Sequence, residues 1–256
     1  MRKLLLASAI VLSGLLPSMS EAATACQQHF ANGREPRIVN QALLQMAREL
    51  CSTGHVTLHS GVARGPLYSA SYLTRDRVAA SSGLPRVNSF RDDTRLPENE
   101  RSSITDYRGT GYDRGHVAPN GDMADERSQS ESFLMSNMMP QVASQNRGIW
   151  AAIESATRDM VTREGAAYVV SGPLFVGGTL QRLNGRLLIP THTFKAVYVP
   201  STGQSGVYIA PNDESGAWEA ISLDRLTQMA GFDPFPAVTA GRNTVMDLRR
   251  PVLRNR

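Results

Sequence analysis

Apolar positions with helical spacing are clearest between residues 144 and 164 of the 256-residue chain. At about 100° per residue, one stripe of this segment predicts a core-facing side. Its members are Ile149, Trp150, Ile153, Thr157, Met160 and Val161. Asn146 projects onto the middle of that stripe, and Glu154 lies at its edge. Two interpretations stay open: Asn146 is a helix N-cap and Glu154 a solvated flank residue, or the two form an inward-facing polar pair.

Apolar runs with loose alternation predict strands elsewhere in the chain. These runs occupy residues 54–74, 166–178, 186–200 and 205–212. Residues 222–232 predict a short helix with a serine cap, and the polar, Pro- and Arg-rich residues 83–111 predict a long loop. Strands and helices follow one another without regular alternation, which favours an α+β fold. We therefore expect a central, mostly antiparallel sheet flanked by helices, in a single domain over residues 55–256.

The N-terminus has the pattern of a secretory signal peptide. Arg2 and Lys3 precede a short apolar run, and small residues follow it. This order predicts a leader over residues 1–22, with cleavage after Ala22 or after Ala25. A retained membrane anchor is the alternative, but the apolar run is short for a span. The mature protein is therefore expected to be periplasmic or secreted, with no membrane segment.

Cys26 and Cys51 are the two cysteines of the chain, and both lie near the predicted mature N-terminus. An oxidising compartment would let them form a disulfide, whereas two unrelated free thiols are less expected in an exported protein. The apolar spacing of residues 37–50 between them is helical. Residues 23–54 are thus predicted as an N-terminal helical segment stapled by the disulfide.

The charge of the chain is mildly positive and carried mostly by arginine. The formal net charge is +4, and lysine occurs only at positions 3 and 195. Arginine suits bidentate phosphate binding, but a compositional bias of the genome would give the same pattern. Charge alone does not establish a nucleic-acid partner.

The pentapeptide YDRGH at residues 112–116 places an acid, a base, a glycine and a histidine side by side. It fits a surface turn, a nucleic-acid contact loop without catalysis, or a catalytic segment in which His116 is a general base. Neutral imidazole can take a proton from water near physiological pH. Hydrolysis of a phosphodiester also needs a cation and donors that bind the phosphate.

Four segments together resemble the DNA/RNA non-specific endonucleases, the sugar-non-specific nucleases that include endonuclease G. They are GYDRGHVAP (111–119), SNMMPQ (136–141), NRGIW (146–150) and Glu154. With NSFRDD (88–93) and the later strands and helix, the resemblance covers roughly residues 55–237. It implies a ββα-metal (His-Me) finger and hydrolysis of DNA and RNA without strong sequence preference, leaving 5′-phosphates.

The resemblance implies a role for each matched position of the site. His116 would activate water as the general base, and Arg114 would bind the phosphate or assist the transition state. Asn146 would be the one direct protein ligand of a divalent ion, Mg²⁺ with Mn²⁺ as a substitute. Glu154 would hold a metal-bound water. Oxygen ligands and retained water suit Mg²⁺.

Four further positions are given supporting roles. By resemblance, Asn137 lies beside the histidine and helps to fix its ring, and Gln141 supports the same loop. Asp113 is expected to orient a turn through backbone hydrogen bonds, and Gly115 to provide backbone geometry rather than chemistry.

The family also has an upstream arginine that binds phosphate. Arg86, Arg91 and Arg95 are the candidates, of which Arg86 is our choice, and Arg147 is a second substrate-binding candidate. Lys195 is either close to the site or an ordinary strand residue. Two other functions stay open: a nucleic-acid-binding module without catalysis, and a hydrolase of small phosphodiesters. Homodimers occur in the family, but no surface stripe in the sequence indicates one.

Overall fold

The computed structural model describes residues 26–253. The predicted signal peptide and its cleavage sites lie outside the described residues. The helices within them, in chain order, are α1 (Gln41–Leu44), α2 (Arg75–Ser82), α3 (Glu126–Ser132), α4 (Ala143–Gln145), α5 (Ala151–Glu164) and α6 (Leu223–Ala230). A single π-helical turn, Asn146–Trp150, joins α4 to α5, and several 3-10 turns connect other elements.

The strands of the described segment account for most of its regular structure. They are β1 (Arg37–Ile38), β2 (Ala47–Cys51), β3 (Val56–Ser60), β4 (Gly65–Thr74), β5 (Tyr112–His116), β6 (Met138–Val142), β7 (Ala166–Leu174), β8 (Arg182–Leu183), β9 (Leu187–Leu188), β10 (His192–Val199), β11 (Gln204–Pro211), β12 (Glu219–Ile221) and β13 (Phe232–Asp233). Seven of them form one sheet in the order β12-β11-β10-β7-β4-β3-β2. All of its neighbouring pairs are antiparallel, so the predicted α+β class and sheet type are confirmed.

Both faces of this sheet are covered, which explains why its central strands are apolar runs rather than clean alternations. Successive side chains of a strand point to opposite faces. In β10, Phe194 and Ala196 pack with α6 and the N-terminal segment. Val197 and Val199 on the other face pack with α5. The sheet is thus the middle layer of the molecule.

The helical stripe predicted for residues 144–164 does face the core. Trp150 is 1% exposed, and Ile153 and Met160 are fully buried against the sheet. The helix is not regular at its start, because the π-helical turn inserts an extra residue before Trp150. This irregularity changes the direction of Asn146, as described below.

The elements that carry the predicted site belong to one segment of the chain, which connects two neighbouring strands of the sheet. β4 pairs with β7, with Ser69 opposite Ser171, and residues 75–165 leave the sheet between them. This inserted segment contains the β5–β6 hairpin, α3 and α5. It also contains the loop predicted over residues 83–111, which is irregular apart from short turns.

The predicted N-terminal helix is wrong, although the predicted disulfide between Cys26 and Cys51 is present. Between the two cysteines α1 is a single turn that ends at Leu44, because Gln45 is already extended, and Met46 follows with a positive φ of 56°. β2 then pairs with β3 along the edge of the main sheet. Pairing with the strand that follows directly in the chain satisfies the backbone groups of residues 47–51, which outweighs a helical apolar spacing. No helix between residues 26 and 253 is long and apolar enough to cross a membrane.

Candidate active site

A cleft of about 580 Å³ lies between the β5–β6 hairpin, the start of α5 and the loop before β5. It contains seven of the site residues predicted from the sequence. These are Arg86, Asp113, Arg114, His116, Asn146, Arg147 and Glu154. Residues that are up to 68 positions apart therefore meet at one surface, as the proposed chemistry requires.

YDRGH is strand β5 rather than a turn. Arg114 and His116 are two positions apart and so share one face of the strand, which explains why both reach the cleft. Gly115 has an ordinary backbone conformation and is needed for a close approach: a Cβ there would collide with the Oε1 of buried Gln141. The glycine thus lets the Gln141 side chain of β6 lie across β5 at Gly115.

His116 is 8% exposed and held among aromatic rings. Its ring meets Phe133 edge to face at 4.7 Å between centroids and lies 5.7 Å from Phe90. Burial, and then the positive charge of Arg86, lowers the pKa of His116 to about 3. The imidazole is therefore neutral at physiological pH, which is the form that can accept a proton.

Asn137 fixes the chain that follows His116 rather than the imidazole itself. Its Oδ1 accepts from the Ala118 amide and its Nδ2 donates to the Ala118 carbonyl, both at 2.9 Å. Nδ2 also donates to the Ser132 carbonyl, and Ser69 of β4 donates to Oδ1. The expected contact with the histidine ring is replaced by this backbone clamp, which ties β5 to the main sheet.

Asn146 is not a helix N-cap, because it has helical angles of −58° and −49° within the π-helical junction. It is half-buried at the cleft instead of lying in the apolar stripe. Its Nδ2 donates to Asp113 Oδ2 at 2.9 Å. Because an ionised carboxylate only accepts hydrogen bonds, this contact sets the amide orientation and leaves Oδ1 as the acceptor available to the cleft.

Asp113 therefore acts through side chains, and not through the backbone hydrogen bonds expected of it. Besides Asn146, it accepts two hydrogen bonds from Arg147, at 2.8 and 2.6 Å. These contacts hold the pKa of Asp113 below its usual value against the effect of burial. The residue joins the hairpin to the helical junction across the floor of the cleft.

Glu154 also lines the cleft, about two helical turns after Asn146, and is half-buried. Burial raises the pKa of Glu154 to about 7, while Lys195 and Arg158 oppose that shift. Lys195 is fully buried behind the helix, where its Nζ donates to Ser171 Oγ at 2.7 Å and lies 5.4 Å from the centre of the Trp150 ring. Lys195 is thus a buried residue of β10 that does not line the cleft, and its charge acts on Glu154 from behind the helix.

Of the three upstream arginines, only Arg86 lines the cleft. Its guanidinium donates to Asn88 and Asn120, at 2.8 and 2.6 Å, and lies 5.2 Å from the centre of the Phe133 ring. Arg91 donates to the carbonyls of Ser89 in the loop and Ser130 in α3, and Arg95 pairs with Asp93. Both are thereby used in structural contacts.

Several contacts of the site could not be predicted from the sequence, although Asn88 and Phe90 lie in the NSFRDD segment and Gln141 in the SNMMPQ segment. Asn88, Phe90 and Asn120 line the cleft, and Arg114 lies over the Phe90 ring at 4.3 Å. Behind it, Gln141 donates to Gln145, Gln145 donates to Thr193, and Asn212 holds both Val142 and Pro140. Hydrogen-bond partners drawn from distant strands become visible only when the sheet is assembled.

The donor set of the cleft fits a hard divalent cation. No group of three or more His, Cys, Asp and Glu side chains within residues 26–253 is arranged to hold a metal ion. Asn146 Oδ1 and the Glu154 carboxylate are the oxygen donors of interest in the cleft, because the Asp113 carboxylate accepts from Asn146 and Arg147 and the side-chain oxygens of Asn88 and Asn120 accept from Arg86. Few protein oxygens and ample room for water suit Mg²⁺, whereas nitrogen- and sulfur-rich sites favour zinc.

Comparison with known proteins gives a family and several relatives. Residues 35–240 match the model of the DNA/RNA non-specific endonuclease family. Nuclease C1 from Cunninghamella echinulata var. echinulata is 35% identical over 180 residues, which cover 64% of this chain and 68% of that protein. A nuclease from Nostoc sp. is 36% identical over 58% of this chain and 60% of its own length. Nuclease EXOG, mitochondrial, from Danio rerio is 28% identical over 77% of this chain and 66% of its own length.

The fold has a counterpart among solved structures. A structure of the EndoG/EndoGI complex, described as showing the mechanism of EndoG inhibition, superposes with a TM-score of 0.67. The match has 26% sequence identity and covers 72% of this chain and 84% of that one. The family model spans most of the chain and includes every residue of the cleft named above. The chain belongs to the DNA/RNA non-specific endonuclease family.

Proposed function

We propose that the protein is an exported, divalent-metal-dependent endonuclease that hydrolyses DNA and RNA with little regard for sequence. The observation that carries this proposal is the meeting of His116 with Asn146 and Glu154 in one arginine-lined cleft. A base, a cation-binding oxygen pair and phosphate-binding groups are the parts that phosphodiester hydrolysis needs.

His116 would take the proton of the attacking water. The aromatic rings of Phe90 and Phe133 restrict the orientation of its imidazole. The Asn137 clamp on the next residues keeps β5 in place during this transfer. Proton acceptance by a positioned imidazole commonly contributes a factor of about 10² to 10⁴ in rate.

Asn146 would bind the divalent ion directly, and Glu154 would hold one of the water ligands of the ion; for the ion we propose Mg²⁺ with Mn²⁺ as a substitute. When bound, the ion supplies Lewis acidity and neutralises negative charge on the phosphate. Asp113 orients the Asn146 amide for this purpose. Glu154 would in addition order water on the same side of the cleft.

Arg86 and Arg114 would bind the phosphate from the side opposite the helix. Both guanidiniums are held against aromatic rings, which limits the entropy lost when they engage an anion. A cleft that binds phosphate and metal carries little base information, which supports cleavage without sequence preference.

The proposed export of the protein rests on its own sequence and structure, whereas the proposed 5′-phosphate product and homodimer rest on the family. The leader pattern and the Cys26–Cys51 disulfide favour a periplasmic or secreted protein, although relatives named EXOG are called mitochondrial. The 5′-phosphate product and a homodimer follow from family resemblance alone.

Digestion of plasmid DNA and of total RNA by the mature, oxidised protein tests the proposal directly. With Mg²⁺ we expect both substrates to disappear, and with EDTA we expect both to persist. His116→Ala should lower the rate by a factor of about 10² or more.

A folded wild-type protein that binds metal but cleaves neither substrate would leave a binding module without catalysis. Cleavage of a small chromogenic diester without cleavage of plasmid would instead favour the hydrolase of small phosphodiesters. A His116→Ala protein as active as the wild type would remove the general-base role while leaving the family unchanged.

A further inference from the structure

The C-terminal segment, residues 246–253, lies beyond the part of the chain that matches the family model. It is nevertheless built into the molecule. Met246 and Leu248 are buried with α5 and the sheet, and the Met246 amide donates to the Ser205 carbonyl. The Tyr208 hydroxyl donates to the Arg249 carbonyl at 2.7 Å. These contacts give the segment a defined course across the molecule.

Residues 252 and 253 of this segment lie beside the cleft. Val252 and Leu253 form one wall of a side pocket of about 230 Å³, whose remaining walls come from α5 and the junction before it. Arg147, Ala151 and Glu154 line both this pocket and the main cleft, so the two spaces are adjacent.

The pocket combines two kinds of surface. Arg147 and Arg158 provide guanidiniums at its edge, and Val252 and Leu253 are apolar side chains that remain 73% and 59% exposed. Each arginine has donors beyond those used in its ion pair, Arg147 with Asp113 and Arg158 with Asp122. A nucleotide would match both kinds of surface, because its phosphate is anionic and the face of its base is apolar.

We propose that Val252 and Leu253 form a wall of a binding subsite for a nucleotide adjacent to the bond that is cut. This inference rests on the proposed nuclease function and adds a contact from outside the family-matched segment. In this subsite the bound strand would continue from the main cleft along α5. Arg147 and Arg158 would contact its phosphate, and Val252 and Leu253 would contact its sugar or base.

Charge reversal at one position tests the wall. We would measure KM and kcat on a 20-nucleotide single strand for Leu253→Glu, Leu253→Arg and Leu253→Ala. A negative charge should raise KM and a positive charge should lower it, each about threefold, with kcat unchanged. Both effects should fade at high salt.

Val39→Glu and Val39→Arg are the matched controls. Val39 is also exposed but lies beside Gly231, against the opposite face of the sheet. Equal shifts at both positions, or shifts at Leu253 that do not depend on the sign of the charge, would overturn the subsite. Thermal unfolding of each variant shows whether the segment stays folded.

A direct readout uses the His116→Ala background, in which DNA should bind without being cut. Tryptophan fluorescence of Leu253→Trp should be quenched by an oligothymidylate as it binds, because bases stack on the ring. Val39→Trp should not respond. If both tryptophans behave alike while the wild type still degrades DNA, the subsite is wrong and the nuclease function stands. An inactive wild type would instead remove the function on which the subsite rests.

Discussion

At the scale of single residues, the site depends on hydrogen bonds that no spacing in the sequence reveals. The identities of His116, Asn146 and Glu154 follow from the motif, and the structure brings them together. The role of Asp113 does not follow, because its partners lie 33 and 34 positions further along the chain. Local pattern can indicate which side chains carry chemistry, but their orientation is set by neighbours that only the fold supplies.

Asp113→Ala tests whether this orientation matters. Without the carboxylate, the Asn146 amide loses the acceptor that directs Oδ1 into the cleft. Partners that orient a metal ligand typically affect metal affinity by about 10- to 100-fold. We therefore expect the Mg²⁺ concentration for half-maximal cleavage to rise by about that factor. Arg147→Ala removes the ion pair but keeps the acceptor, so an equally large effect of that change would contradict the orientation argument.

At the scale of elements, strands and the long helix were predictable because their apolar positions face a core. β2 was not, because its apolar spacing also fits a helix and the deciding factor is pairing with β3. The π-helical turn could not be predicted either. It differs from a regular helical turn in its hydrogen bonds and not in the kinds of residue it contains. Sequence periodicity identifies buried faces more reliably than it identifies the hydrogen-bonding pattern of the backbone.

Gly115→Ala tests the packing between the two strands of the hairpin. The new methyl group would occupy the place of Gln141 Oε1, in a position buried on all sides. Overpacking of this kind costs about 1–3 kcal/mol of unfolding free energy. Adding Gln141→Ala removes the obstacle, so urea unfolding should show the double variant losing less than the sum of the two single changes. Simple additivity would show that Gly115 has another role.

At the scale of the whole molecule, buried histidines make the protein sensitive to acid. His55 is 2% exposed, and burial lowers the pKa of His55 to about 3 and that of His29 to about 4. Between pH 6.5 and these values the unfolded chain binds more protons than the folded one. The free energy of unfolding must then fall as the pH falls through this range.

His55→Gln should flatten that dependence. One histidine that is protonated only in the unfolded state contributes a slope of about 1.4 kcal/mol per pH unit. Urea unfolding with EDTA present, at pH 8.5, 7.5, 5.5 and 4.5, measures it. The variant and the wild type should have the same slope between pH 7.5 and 8.5, and identical slopes below pH 6 would exclude His55 as a source of acid sensitivity.

The pairing of β4 with β7 has a consequence for how the protein is made. Every residue of the cleft, from Arg86 to Glu154, lies in the segment that leaves the sheet between these two strands. The ends of that segment are joined only when β7 has been synthesised, and β7 in turn needs β10 beside it. Pairings between strands so far apart in the chain form late, because loop closure must precede them. A chain that has not yet been synthesised through β7 and β10 therefore lacks the frame that assembles the cleft, so the site can form only in the last third of synthesis.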